Sequence, residues 1–374
     1  MTGSQAPAAT GRRAGWRGVI TEYRDRLPAT AEMPAVTLQE GGTPLLPAPV
    51  LSARTGCDVY LKVEGLNPTG SFKDRVVSVA LTKARQLGFK VAACASTGNL
   101  ANSVAAHAAR AGMESVVLIP YDLEKAKVTM TTVYGGTVIA VEGTYDDVNR
   151  LCAELTSERP SWAFVNVNVR TYYAEGSKTL AFEIAEQLGW QAPDHVVVPI
   201  GSGSQLTKVA KGFAELGQVG LLDEAPHVRV SGAQAEGCSP VATAFAQGSD
   251  AIRPVKPKTI AKSLAIGNPA DGWYALQTMR SSGGSCASVT DDEVLEAIGL
   301  LARTEGIFAE TAGGVTIAAL AKMVASGAVR RDERVVALVT GHGLKTVEAL
   351  ADHTGPTATI SPTLAAFDAA LSPH

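Results

Sequence analysis

Short apolar runs rich in Val, Ile and Ala alternate along most of the chain with longer stretches in which apolar residues return every three or four positions. Small turn residues separate the two kinds of run. Val91–Ala95 leads through Ser96-Thr97-Gly98-Asn99 into an alanine-rich helical pattern at 100–111. Runs at 115–120 and Thr137–Val141 predict further strands, and 145–155 a helix. A strand at 164–169 precedes a strong helical pattern at 176–188. The run 196–200 leads through Gly201-Ser202-Gly203-Ser204 into a helix at 205–216. The pattern predicts another strand at 227–233 and an amphipathic helix with a capping aspartate at 291–304. A strand at 335–339 ends at Thr340-Gly341-His342-Gly343. Strand–turn–helix units in succession predict an α/β fold with a largely parallel sheet covered on both faces. Residues 248–272, rich in Pro and Lys, carry little period and predict a long surface excursion. No repeat of solenoid length interrupts the pattern.

Composition narrows the class. The 374 residues suffice for a substantial core, packed as two lobes. Hydrophobic residues make up 46% and charged residues 18%, ordinary for a globular protein. With 33 basic and 36 acidic residues there is no nucleic-acid footprint and no polybasic membrane patch. The five cysteines are dispersed and form no C-x-x-C pair, which argues against a disulfide framework or zinc site and for a reducing, cytoplasmic setting. The histidines show no metal spacing, so no metal is expected. No apolar run is long enough to span a bilayer. Residues 1–15 read as a short disordered tail, not a secretory signal.

Candidate chemistry concentrates at the turns. In Glu64-Gly65-Leu66-Asn67-Pro68-Thr69-Gly70-Ser71-Phe72-Lys73-Asp74-Arg75 a lysine follows a turn-rich run and precedes a helical stretch at 75–87. Near a helix N-terminus the field disfavours an ammonium, and a neutral amine can form a Schiff base. An exposed lysine opening a helix is the alternative. Ser96-Thr97-Gly98-Asn99 offers free amides and two hydroxyls, a ready anion site or a plain helix cap. Gly201-Ser202-Gly203-Ser204-Gln205 is a second such turn, where small residues let amides approach a phosphate. Leu206 breaks a dinucleotide fingerprint and the Gly-Lys pair of a P-loop is missing, which leaves a phosphate cradle or a tight βα turn. Thr340 stands at a strand end, where a hydroxyl can hydrogen-bond a neutral ring nitrogen.

The lysine segment resembles that of the pyridoxal 5'-phosphate enzymes sharing the tryptophan-synthase β-subunit fold, and within them threonine synthase. Thr340-Gly341-His342-Gly343-Leu344-Lys345 is similar to threonine synthases too, as are segments 174–179, 232–235, 265–270 and 304–308. The resemblance covers nearly the whole chain, in the family's order. It implies the two-lobed fold type II: each lobe an open, twisted, mainly parallel sheet flanked by helices. Residues 16–75 and 171–374 would form the large cofactor-binding domain and 76–170 a smaller mobile domain. Lys73 would be the Schiff-base lysine and proton shuttle, and Phe72 beside it would also bind the cofactor. Ser96, Thr97 and Asn99 would grip the substrate α-carboxylate, with Asn99 also reaching the cofactor ring oxygen. Gly201, Ser202, Gly203, Ser204 and Gln205 would cradle the cofactor phosphate, and Thr340 would face its ring nitrogen. Lys178 and Phe308 would be scaffold.

The implied reaction converts O-phospho-L-homoserine and water to L-threonine and phosphate, in a homodimer. A second phosphate then needs holding, for which Lys62, Thr97, Asn166, Asn168 and Arg170 are candidates. Here the chain departs from the commonest family pattern. Asn166-Val167-Asn168-Val169-Arg170 is followed by Thr-Tyr-Tyr-Ala before Glu175, a longer spacer. Other readings stay open: a β-replacement enzyme or dehydratase of the same fold acting on phosphoserine, serine or threonine; a relative using a phosphohomoserine analogue; a non-catalytic binding protein.

Overall fold

The computed structural model describes residues 15–30, 32–222 and 227–371; the tail expected at 1–15 lies almost wholly outside them. Among these residues, ten strands form two sheets. β1 (Leu45–Pro47), β2 (Asp58–Val63), β7 (His195–Pro199), β8 (Arg229–Ala235), β9 (Cys286–Val289) and β10 (Arg334–Val339) make the larger, in the order β1-β2-β10-β7-β8-β9. Every neighbour pair in it is parallel except β1 with β2. β3 (Val91–Ala95), β4 (Glu114–Pro120), β5 (Thr137–Val141) and β6 (Trp162–Phe164) make the smaller, all parallel, in the order β5-β4-β3-β6. Helices flank both. This is the expected α/β architecture of two mainly parallel sheets.

The central strands are buried on both faces, as their continuous Val and Ala runs require. Two apolar cores flank the larger sheet. Val196, Val198, Val336 and Leu338 lie in one; Val197, Val335, Ala337 and Val339 lie in the other. Alternate residues of one strand thus serve opposite layers.

Two expectations shift. The strand placed at 164–169 ends at Phe164, because Val167 and Val169 fold back onto the Phe164 carbonyl. The Asn166 side chain then accepts from the Ala95 amide at 3.3 Å. The strand placed at 227–233 runs from Arg229 to Ala235, set by its pairing with β7 and β9. β1 and β9, three and four residues long, are too short to show a period, while β2 alternates, with Val59, Leu61 and Val63 in one core and Tyr60 in the other, a strand absent from the sequence reading.

Beneath the lysine segment lies a buried charge cluster. Arg75 is fully buried and donates to Glu64 through Nε at 2.6 Å and Nη2 at 2.8 Å. It also pairs with Glu183, which stands 3.3 Å from the Lys62 ammonium. Two cations and two carboxylates balance. This clamps the Lys73–Gln86 helix to β2 and to the Lys178–Gln187 helix.

Candidate active site

The carboxyl ends of β3, β7 and β10 open on one cleft, where open α/β sheets place their ligands. Three turns and one helix start bring the side chains there. The Asn67–Ser71 turn is held by Asp74, whose carboxylate accepts from the Thr69 amide at 2.7 Å and hydroxyl at 2.6 Å. Gly70 takes φ +76°, and the turn is stitched to the end of β10 through Phe72 N to Thr340 O and His342 N to Gly70 O. Lys73 is therefore the first residue of its helix, fixed beside Thr340.

The Lys73 amine donates to the phenol of Tyr173 at 2.6 Å and lies 4.6 Å from the Phe72 ring centre. Burial pulls its pKa down to about 8, against the opposing charge of Glu310. The depression follows the expectation from sequence, but burial, not the helix terminus, is its largest cause.

After β3, Gly98 turns at φ +113°, a conformation that lets the chain pass close over Lys127. The Ser96 hydroxyl accepts from the Gly98 amide at 2.9 Å and the Ala101 amide at 2.8 Å, which fixes the turn and leaves it one hydrogen to donate. Asn99 Nδ2 donates to both oxygens of Glu310 at 2.9 Å each, and its Oδ1 is buried without a partner.

After β7, Gly203 sits at φ +96°, and a Cβ there would lie 2.7 Å from the Asp271 carbonyl oxygen. No side chain caps the helix Ser204–Gln218, whose first amides have no intrahelical acceptor. Gln205 Nε2 and Ser263 Oγ in the same wall are buried without partners among the described residues. Open helix amides, a glycine turn and unpaired buried donors fit a phosphate. A buried lysine of lowered pKa fits an aldehyde, and Thr340 and Asn99 line the space between. The donor set thus fits pyridoxal 5'-phosphate.

Of the residues singled out from sequence, Phe72, Lys73, Ser96, Thr97, Asn99, Asn166, Arg170, Thr340 and the whole 201–205 turn line this cleft. Two do not. Lys62 is sealed in the charge cluster, its ammonium bonded to Thr43 O at 2.6 Å and Gln187 Oε1 at 2.8 Å, with no reach to a ligand. Asn168 sits on an exposed turn and donates to Trp162 O. His342 is outside as well. Its Nδ1 accepts from the Leu344 amide, and its ring lies edge-on to Phe308. Lys178 is tied to Glu175 and Glu215.

The cleft also holds Tyr145, Tyr173, Asp271 and Glu310, none of them singled out from sequence. Asp271 pairs with Arg170. Glu310 precedes the Thr311–Ala325 helix, and an acid heading an Ala-Gly-Gly helix was its one available signal. The tyrosines carried none.

Residues 36–341 match the family described as "Pyridoxal-phosphate dependent enzyme". The chain is 43% identical to a threonine synthase of Methanocaldococcus jannaschii, over 88% of this chain and 81% of that protein. It is 43% identical to a threonine synthase of Mycobacterium bovis, over 88% and 89%. In fold it is similar to the processed form of threonine deaminase isoform 2 from Solanum lycopersicum, with TM-score 0.69 and 21% identity over 94% of this chain and 97% of that one. The chain belongs to the pyridoxal-phosphate-dependent enzymes and, among them, to the threonine synthases.

Proposed function

We propose that this cleft turns O-phospho-L-homoserine and water into L-threonine and phosphate, with Lys73 as the residue that moves protons. The observation that best supports it is Arg170 in the wall of the same cleft as Lys73 and the 201–205 turn: one enclosure holds both a glycine turn with open amides and a guanidinium for a second phosphate. Bound there, pyridoxal 5'-phosphate supplies the electron sink for the charge left when a proton leaves carbon.

The chain's own residues do the rest. The amides and small side chains of 201–205 hold the cofactor phosphate, Thr340 faces the ring nitrogen, and Asn99 Oδ1 accepts from the ring hydroxyl. A threonine hydroxyl carries no charge to stabilise a protonated ring, which steers chemistry toward elimination and replacement. Ser96, Thr97 and the first amides of the Asn99–Ala111 helix bind the substrate carboxylate. Arg170 binds the substrate phosphate, with Asn166 and Thr97 beside it. With a pKa near 8, roughly a tenth of Lys73 is neutral at pH 7 and about half at pH 8, able to take a proton from one carbon and return it to another.

Residues 76–170 form the smaller, mobile domain and close over the substrate to exclude water. Contacts between this segment and the rest of the chain support closure: Lys262 to Asp122 at 2.9 Å, and the Gly267 and Asn268 amides to Asp146 in the cleft wall. The enzyme works as a cytoplasmic homodimer. Among the described residues, no helix is long and apolar enough to cross a membrane.

The test is phosphate and threonine release from O-phospho-L-homoserine by cofactor-loaded protein, with O-phosphoserine in parallel. Equal phosphate and threonine from the first substrate support the proposal. Phosphate release from O-phosphoserine alone would move the protein to β-replacement or elimination.

A further inference from the structure

The contact between Lys73 and Tyr173 joins residues 100 positions apart and puts the phenol oxygen 2.6 Å from the amine. Tyr173 is buried, and among the described residues no hydrogen bond other than the one from Lys73 is seen at its oxygen. Its ring flanks the ammonium at 5.4 Å from the centroid, while Phe72 covers it at 4.6 Å. Amine, phenol and Phe72 line the cleft together. The amine is thus confined by two rings and aimed by one oxygen.

We propose that Tyr173 is a positioning residue for the catalytic lysine: its phenol oxygen is the dock that holds the Lys73 amine at the cleft wall whenever that amine is not joined to cofactor. This rests on the reading of Lys73 as the cofactor lysine. A free lysine end has several rotatable bonds, and a proton shuttle must stay on one face of the substrate. An oxygen within hydrogen-bond reach removes that freedom and favours the ammonium over the amine, since the ammonium is the stronger donor. Burial of Tyr173 pushes its phenol above the ordinary tyrosine range, so it serves as a neutral acceptor and not as a phenolate. Other groups face the pair: Glu310 and Cys94 act on Lys73, and Cys94, Arg170, Asp271 and Tyr145 on Tyr173. None of these other groups is hydrogen-bonded to the amine among the described residues. Arg170 and Tyr173 sit on one short helix, Arg170–Glu175, so the dock and the proposed phosphate grip share one element.

The experiment reads the amine, not turnover. Apoprotein is mixed with pyridoxal 5'-phosphate across pH, and the rate of chromophore formation is followed for wild type, Tyr173→Phe and, as a control, Tyr172→Phe. Tyr172 packs against Lys83, not Lys73. The wild-type midpoint is expected at about 8. Loss of the acceptor should lower it by about one pH unit in Tyr173→Phe and leave it unmoved in Tyr172→Phe. Superimposable wild-type and Tyr173→Phe profiles would overturn the proposal. A wild-type apoprotein that forms no chromophore at all would instead overturn the reading of Lys73. If Tyr173→Phe does not fold, a crystal structure of wild-type holoenzyme soaked with L-threonine decides. The freed Nζ should lie about 3 Å from Tyr173 Oη, and an Nζ aimed elsewhere would sink the idea.

Discussion

Asn99 and Glu310, 211 positions apart, meet as a fork: one amide nitrogen donates to both carboxylate oxygens at 2.9 Å. The pair decides which way round the Asn99 amide stands. Because the amide nitrogen faces Glu310, the acceptor oxygen is turned away from it and, among the described residues, left buried without a partner. In Glu310→Gln the partner offers one acceptor and one donor, so Asn99 can flip and present nitrogen to the cleft. Cofactor affinity should fall about tenfold, and the bound chromophore should shift in wavelength. Titration of apoprotein by absorbance checks both. Unchanged affinity and spectrum would mean that the fork is only scaffold. An unpaired buried polar group costs about 1–3 kcal/mol, enough for that effect.

Arg170 pairs with Asp271 at the cleft wall and is about a third exposed, so its guanidinium can reach a ligand. Arg170→Ala should raise KM for the phosphorylated substrate about 100-fold with a smaller drop in kcat, as expected when a charged, hydrogen-bonded contact to substrate is lost. Arg170→Lys should recover only part of this, since an ammonium lacks the planar fork. Steady-state kinetics of both variants are the check. An Arg170→Ala enzyme with wild-type KM would remove Arg170 from the phosphate grip.

Arg75 is the keystone of the buried cluster under the lysine segment. Arg75→Leu leaves Glu64 and Glu183 facing each other with only Lys62 to compensate. Removing one partner of a buried ion pair costs about 3–5 kcal/mol. Urea unfolding should show a midpoint lowered to match. A double variant that also neutralises Glu64 should be less destabilised than the sum of the two single changes.

Ser231, His195 and Glu333 form a chain that looks catalytic and is sealed from solvent. His195 Nε2 lies 2.6 Å from Ser231 Oγ, and Nδ1 lies 3.3 Å from Glu333 Oε2. The Ser285 amide donates to Ser231 Oγ at 2.7 Å, so the serine hydrogen is free for Nε2 and the imidazole gives its own to Glu333. Burial, then the charges of Arg229 and Arg330, push the His195 pKa down to about 3. A histidine whose folded pKa is depressed stabilises fully above its unfolded value of about 6.5, and that stabilisation is lost as pH falls toward 3. Stability should therefore drop by roughly 1.4 kcal/mol per pH unit from this residue alone below about pH 6.5. His195→Gln, which does not titrate, should be less stable than wild type at pH 7.5 and show a shallower fall between pH 6.5 and 5. Urea melts at both ends of that window measure the slope; parallel slopes would contradict the assignment.

Local sequence is enough to set the alternation of strand and helix, the three glycine-rich turns at strand ends, and the lysine that opens its helix behind Asn-Pro-Thr-Gly-Ser. These are local properties: a period of two or 3.6, a backbone angle only glycine takes freely, a cap within one turn. Lys73, the 96–99 turn, the 201–205 turn and Thr340 were legible for that reason, and they line one cleft because parallel strands deliver their carboxyl ends to the same edge. The rest depends on how distant segments pack. Lys62 and Arg170 are both cations near candidate anion holders, but one is sealed by Glu183 and the other opens to the cleft. Asn166 faces the cleft and Asn168, two residues on, faces solvent, because β6 stops at Phe164. Glu310 and Tyr173 reach Asn99 and Lys73 only when the two sheets are folded against each other. No period along the chain encodes a contact made across 211 or 100 positions, since it depends on which surfaces the buried core brings together.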